Sequence, residues 1–197
     1  MLSLEPYTTT LLTIDLQLGF DDPRWGRRNN PLMERRASEL LRAWRGAGRP
    51  VVHVRHMSTD PSSPLLPGQR GNEFKPETAP LSGEAVIEKR VNSAFIGTSL
   101  ETRLRHAGCS GVVIVGLTTN HCVSTTARMA GNLGFATWVV SDATATFDRV
   151  GPDGVAHLAE RIHEIALSDL HGEFATVVDT AAVIDALQVR DSLRRVS

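Results

Sequence analysis

The chain reads as an α/β protein, a three-layer α/β/α sandwich around a mostly parallel, Rossmann-like six-stranded sheet. Two observations predict this. Six short, β-branched apolar runs are continuously apolar instead of alternating, which suits strands covered on both faces. Longer helix-period patterns separate them, and that β-α rhythm continues along the whole sequence.

Taken in order, the predicted strands are Thr10–Ile14, Val51–Val54, Ala85–Ile87, Val112–Val115, Thr137–Val140 and Ala175–Val178. The predicted helices are Pro31–Ala47, Thr98–His106, Asn120–Leu133, Asp153–Leu167 and Thr180–Gln188. Pro31 stands where a first helical turn tolerates proline, and Gly46 and Gly48 stand where that helix ends. Residues 57–84 break the rhythm with five prolines, three glycines and four serines. A long excursion of that composition is an ordered functional loop more often than a tether. No linker composition interrupts the pattern, so residues 1–197 are expected to form one domain.

Composition narrows the function. The 197 residues are 41% hydrophobic, enough for a core that hides roughly 70% of the unfolded surface. Twenty-one basic and 22 acidic side chains leave a formal net charge of −1, which offers no general attraction to nucleic acid or to an anionic membrane. A small, mostly uncharged substrate suits that balance. No apolar run approaches the length of a membrane span, and the N-terminus lacks a basic, then apolar leader. A cytoplasmic location is therefore expected, where Cys109 and Cys122 are free thiols.

Ligands of open parallel sheets bind beyond the carboxyl ends of the strands. Three runs end there in chemically capable side chains: Asp15, Lys89 and Cys122. Cys122 follows a strand and opens a helical pattern, where unpaired N–H groups and the helix dipole would depress a thiol pKa and hold an oxyanion. A buried, inert cysteine fits the same position. Asp15 reads equally as a turn or cap residue, and Lys89 as a solvated lysine. Together, however, they supply a base, a cation and a nucleophile.

These residues lie in the segments TTLLTIDLQLGF, VIEKRVNSAFIGTSLE and VIVGLTTNHCVSTTARMAGNLGFATWVVSDATATFD. In order and content they resemble the isochorismatase-like cysteine hydrolases, the superfamily of nicotinamidases, N-carbamoylsarcosine amidases and isochorismatases. The resemblance implies Asp15 as general base, Lys89 as its cation and Cys122 as nucleophile. It implies a cis peptide at Leu117–Thr118 that helps form an oxyanion hole, and a homodimer or homotetramer. Nicotinamidases carry a metal-binding Asp-x-His pair after the second strand. VVHVRHMSTD has none, and His53 and His56 are three apart on a strand, on opposite faces. No metal and no other cofactor is therefore expected. Isochorismatases proper lack the cysteine, so Cys122 favours hydrolysis of a small amide, ureide or lactam through a thioester. The alternatives are vinyl-ether hydrolysis by Asp15 without the thiol, and a non-catalytic binding or scaffold protein. Phe20, Trp25, Asn92, Phe95, Asn120 and His121 frame the three residues in sequence and are the expected substrate contacts. Residues 55–84 and 144–148 are the expected lid.

Overall fold

The computed structural model describes residues 9–194. The segment read for a leader, residues 1–8, lies outside them. Six parallel strands form the sheet: β1 (Thr9–Ile14), β2 (Val51–His56), β3 (Ala85–Lys89), β4 (Gly111–Leu117), β5 (Ala136–Ala145) and β8 (Thr176–Val178). Their order is β3-β2-β1-β4-β5-β8, every neighbouring pair being parallel. The chain builds outward from β1 to β3, then returns to the other side of β1 as β4. The topological switch point therefore lies between β1 and β4, where this architecture leaves a crevice at the carboxyl ends.

Alternate residues of each strand feed two separate cores. On one face Leu11, Val113, Val115 and Val140 pack under α1 (Met33–Gly46) and α5 (Thr180–Arg194). Helix α1 buries Met33, Ala37, Leu40, Leu41 and Trp44, a single apolar stripe at helical spacing. On the other face Leu12, Ile14, Val52, Val54 and Ile114 pack under α2 (Leu100–His106), α3 (Ser124–Asn132) and α4 (Ala159–Leu170). The sheet is thus the middle of three layers, as its unbroken apolar runs predict.

The boundaries differ from the expected ones in instructive places. Strand β5 runs five residues past Val140, to Ala145, after a register irregularity opposite Ile114 and Gly116. Helix α4 starts at Ala159, not at Asp153. The residues before it belong to a two-stranded antiparallel ribbon, β6 (Arg149–Val150) and β7 (Ala156–His157). Its turn closes through Gly151 N–H to Val155 O at 2.8 Å. The helix expected from Asn120 begins instead as a π-helical turn over Thr119–Val123, and regular α-helix starts at Ser124.

Candidate active site

Asp15, one residue beyond β1, is fully buried and adopts a φ of 52°, a left-handed backbone that a non-glycine residue enters at a cost. Lys89, the last residue of β3, is also fully buried and reaches across the ends of the neighbouring strands. Cys122 lies in the π-helical turn after β4 and is 7% exposed. The peptide bond Leu117–Thr118, leading into that turn, is cis.

An ammonium has three N–H donors, and Lys89 directs them at three acceptors. Nζ lies 2.7 Å from Asp15 Oδ2, 2.9 Å from His56 Nδ1 and 3.2 Å from Cys122 Sγ. A carboxylate oxygen of Asp15, a ring nitrogen of His56 and the sulfur of Cys122 lie within 4.8 Å of one another, a donor set chemically able to bind a metal. Here they converge on the lysine ammonium, which already supplies the positive charge between them. The arrangement fits a proton-transfer site built on an organic cation.

The charges follow from this packing. Burial alone would lower Lys89, but the Asp15 carboxylate and the Cys122 sulfur outweigh it and hold the ammonium above its ordinary value. Burial, reinforced by Lys89, lowers His56, so its neutral Nδ1 accepts from the ammonium. The thiol departs from the expectation of a depressed pKa. Burial first, and the neighbouring Asp15 charge second, push Cys122 well up, with Lys89 only partly opposing them. A turn buried beneath the cavity, with a carboxylate beside the sulfur, overrides the favourable end of the helix. Both influences favour the protonated thiol.

A cavity of about 320 Å³ opens over these residues. Asp15, Cys122 and Thr118 line it, with Phe20, Trp25, Leu65, His56, Asn92, His121 and Arg149. Phe20, Trp25 and Phe147 form an aromatic cluster along one wall, with ring centroids 5.3 to 6.2 Å apart. Trp25 is fixed by an Nε1–H bond to Gly19 O at 2.8 Å. Asn92 Oδ1 stands 3.8 Å from the sulfur. One carboxylate oxygen of Asp15, Oδ1, is buried with no hydrogen-bond partner among the described residues. A larger cavity, about 540 Å³, lies between α3 and α4 and contains none of Asp15, Lys89 or Cys122.

Of the residues expected to contact substrate, the structure brings Phe20, Trp25, Asn92 and His121 to the cavity and leaves two out. Phe95 is buried against Phe135 in the core beneath α2 and α3, their rings 6.1 Å apart. Asn120 turns to Thr146, whose Oγ1 donates to Asn120 Oδ1 at 2.5 Å, and it lines the larger cavity instead. Sequence reasoning missed His56, Leu65 and Arg149. His56 is legible in retrospect, because it ends β2 as Lys89 ends β3, and the parallel register pairs the two. Its backbone is clamped by Gln17, which accepts from His56 N–H at 2.8 Å and donates to His56 O at 3.1 Å. Asn72, from the long loop, donates to the same carbonyl and to Leu65 O. That loop therefore packs onto the site and places Leu65 in its wall.

A parallel sheet with its switch point at β1 and β4, carrying an acid, a lysine and a cysteine at the carboxyl ends of β1, β3 and β4, defines a class of α/β hydrolytic site. The chain belongs to the isochorismatase family, whose Isochorismatase domain matches residues 9–182. It is 45% identical over 175 residues to the uncharacterized isochorismatase family protein YrdC of Bacillus subtilis, covering 89% of this chain and 94% of that one. A protein of the isochorismatase family from Chromobacterium violaceum superposes with a TM-score of 0.92 at 44% identity, covering 95% of this chain and 97% of that one. A cysteine hydrolase from Pseudomonas syringae superposes with a TM-score of 0.87 at 25% identity, covering 96% of both chains. The ureidoacrylate amidohydrolase RutB of Methylobacterium radiotolerans is 27% identical, over 95% of this chain and 83% of that one. Family members are thus hydrolases, amidohydrolases among them.

Proposed function

We propose that the protein is a cysteine amidohydrolase that cleaves a C–N bond of a small amide, ureide or lactam without a metal. The observation that carries the reading is the buried Lys89 ammonium, shared between Asp15 Oδ2 at 2.7 Å and Cys122 Sγ at 3.2 Å on the floor of a small cavity. The relatives named as a cysteine hydrolase and an amidohydrolase support it.

Because the resting group is a thiol, its proton leaves as the S–C bond forms. The proton passes to Asp15, and the sulfur attacks the carbonyl carbon to give a tetrahedral oxyanion. Backbone N–H groups of Thr118 and Cys122 are the proposed donors to that oxygen. Collapse breaks the C–N bond, the amine leaves with the proton returned from Asp15, and a thioester remains. Water then gives a proton to Asp15 and attacks the thioester. The acid leaves, and the departing thiolate recovers the proton from Asp15. Lys89 stays an ammonium throughout and keeps the carboxylate oriented.

Replacing Cys122 by Ala is the direct test, read as ammonia or amine release across a panel of small amides, ureides and lactams. Wild type is expected to turn over at least one compound and Cys122→Ala none, with mass spectrometry showing an acyl adduct on Cys122 in quenched wild-type reactions. Undiminished turnover by Cys122→Ala would transfer the chemistry to Asp15 alone, as in vinyl-ether hydrolysis. Labelling of Cys122 by iodoacetamide no faster than Cys109, without turnover of any compound, would point to a binding protein.

A further inference from the structure

His56 differs from the other buried histidines in how its ring is used. Both ring nitrogens of His53 are taken, by Thr13 Oγ1 and Glu84 Oε2, and both of His163 by Thr119 Oγ1 and Asn30 Nδ2. In His56 only Nδ1 is engaged, 2.9 Å from Lys89 Nζ. Nε2 has no hydrogen-bond partner among the described residues, yet it is not sealed in the interior as Asp15 Oδ1 is. Because His56 lines the cavity, that nitrogen is the part of the ring left to meet a ligand.

The Lys89 contact fixes which nitrogen carries the proton. An ammonium has donors and no lone pair, so Nδ1 must accept. A neutral imidazole that accepts at Nδ1 carries its proton at Nε2, because each nitrogen's state is set by the bond the other makes. Burial first, and the Lys89 charge second, hold the ring below its ordinary pKa, which keeps it neutral. The open nitrogen is therefore a donor and cannot accept. Its aim is fixed as well. Gln17 and Asn72 clamp the His56 backbone, and Lys89 holds the far side of the ring. A preorganised N–H beside a nucleophile acts most strongly on an acceptor that arrives with the reacting group.

The neighbouring groups narrow that acceptor. A ring nitrogen of His56, a carboxylate oxygen of Asp15 and the Cys122 sulfur lie within 4.8 Å of one another. A reacting carbon sits about 3–3.5 Å from its nucleophile, so an acceptor that reaches His56 belongs to the reacting end of the substrate. Asp15 and Lys89 already neutralise each other at 2.7 Å, and an anion placed beside that carboxylate would be repelled. A neutral carbonyl oxygen satisfies both conditions. We propose that His56 Nε2–H positions the substrate by donating to a second carbonyl close to the scissile one, so that the substrate class is the acylureas and oxo-amides. The scissile bond in this statement rests on the hydrolase reading above, whereas the donor stands on the Lys89–His56 contact alone.

Binding to the Cys122→Ala protein tests it without turnover. Acetylurea, pyruvamide and acetoacetamide are titrated calorimetrically against ethylurea, propionamide and butyramide, which differ only in replacing the second carbonyl by a methylene. At least one carbonyl compound is expected to bind about tenfold or more tightly than its methylene counterpart. His56→Leu should abolish that preference. His56→Gln, whose amide can accept from Lys89 and donate to the ligand, should keep part of it, a rescue that a merely structural role would not produce. Proton–nitrogen NMR of histidine-labelled Cys122→Ala protein, with the His56 signal assigned from its loss in His56→Gln, reads the tautomer directly and needs no folded His56→Leu. A protonated Nε2 and a bare Nδ1 are expected at neutral pH. A proton on Nδ1, equal binding within every pair, no binding of any carbonyl compound, or a preference that survives His56→Leu would overturn the proposal. Cys122-dependent amide turnover without a His56-dependent preference would sink the donor and spare the hydrolase reading. A His56-dependent preference without such turnover would do the reverse.

Discussion

Lys89 is the residue on which the site's geometry depends. Its ammonium is fully buried, and each of its N–H bonds has its own acceptor: a carboxylate, an imidazole and a sulfur. Removing one partner of a buried ion pair leaves the other charge desolvated and alone, at a cost of about 3–5 kcal/mol. Lys89→Met is therefore expected to lose stability of that order in urea unfolding at pH 7, together with activity. Adding Asp15→Asn should recover part of the stability and none of the activity, since the uncompensated carboxylate is gone and the base with it. Lys89→Arg should not restore function, because a planar guanidinium cannot address three acceptors arranged around a point. Wild-type stability in Lys89→Met would show that the pair is solvated, contrary to its burial.

At the scale of elements, Asp15 and Cys122, the proposed base and nucleophile, follow adjacent strands, and Gly116 sets how closely those strands approach. It pairs with Ile14 in the β1–β4 register, has a φ of 120°, and a Cβ built there would lie 2.0 Å from Ile14 O. Gly116→Ala must move β4 away from β1, one residue before Asp15 and six before Cys122. A loss of about 2 kcal/mol or more is expected, with activity falling further than the folded fraction does. Gly134→Ala, at a φ of 82° in open space, controls for backbone strain alone and should cost about 1 kcal/mol with kcat unchanged. Equal effects of the two would remove strand spacing from the argument. The sheet itself was legible in the sequence because each strand is a continuous apolar run, and Asp15, Lys89 and Cys122 were legible because each follows one. What was not legible came from long-range geometry. Phe95 looked like a pocket wall by proximity to Lys89, but the chain turns it into the core under α2. Arg149 was invisible because its ribbon is two residues per strand, too short for any periodicity, and it lies in what reads as a helical approach. The thiol's direction of shift was misjudged because a helix-end argument counts the dipole and omits burial and Asp15, which only the fold brings to it.

For the whole molecule, the buried histidines predict how stability depends on pH. His53 lies fully buried between Thr13 Oγ1, 2.8 Å from its Nδ1, and Glu84 Oε2, 2.9 Å from its Nε2. His163 is bound through Nδ1 to Thr119 Oγ1 at 2.8 Å, in the turn that carries Cys122. In His53, His56 and His163 burial leads in holding the pKa below the ordinary 6.5. The unfolded chain therefore takes up these protons first as pH falls through about 6.5, and the folded chain resists them. With more protons on the unfolded state, stability rises with pH in that window and is lost as pH drops below it. Carboxylates extend the loss. Burial raises Glu84, but Arg45, the Leu81 N–H and His53 outweigh it and hold Glu84 at about 2, so its contribution is present above about 4.5 and disappears below. At the alkaline end the order reverses. The unfolded chain releases the Cys122 proton near 9 and the Lys89 proton near 10.5, while the folded protein retains both, so stability falls again as pH rises past those values. Urea midpoints are thus expected to form a plateau between about pH 6.5 and 9, declining on both sides. Replacing His163 by Gln, which keeps a hydrogen-bonding side chain and does not titrate, should flatten the acid edge between pH 6.5 and 5. A midpoint constant from pH 7 to pH 5 would mean that these imidazoles protonate as readily inside the protein as in water, which their burial forbids.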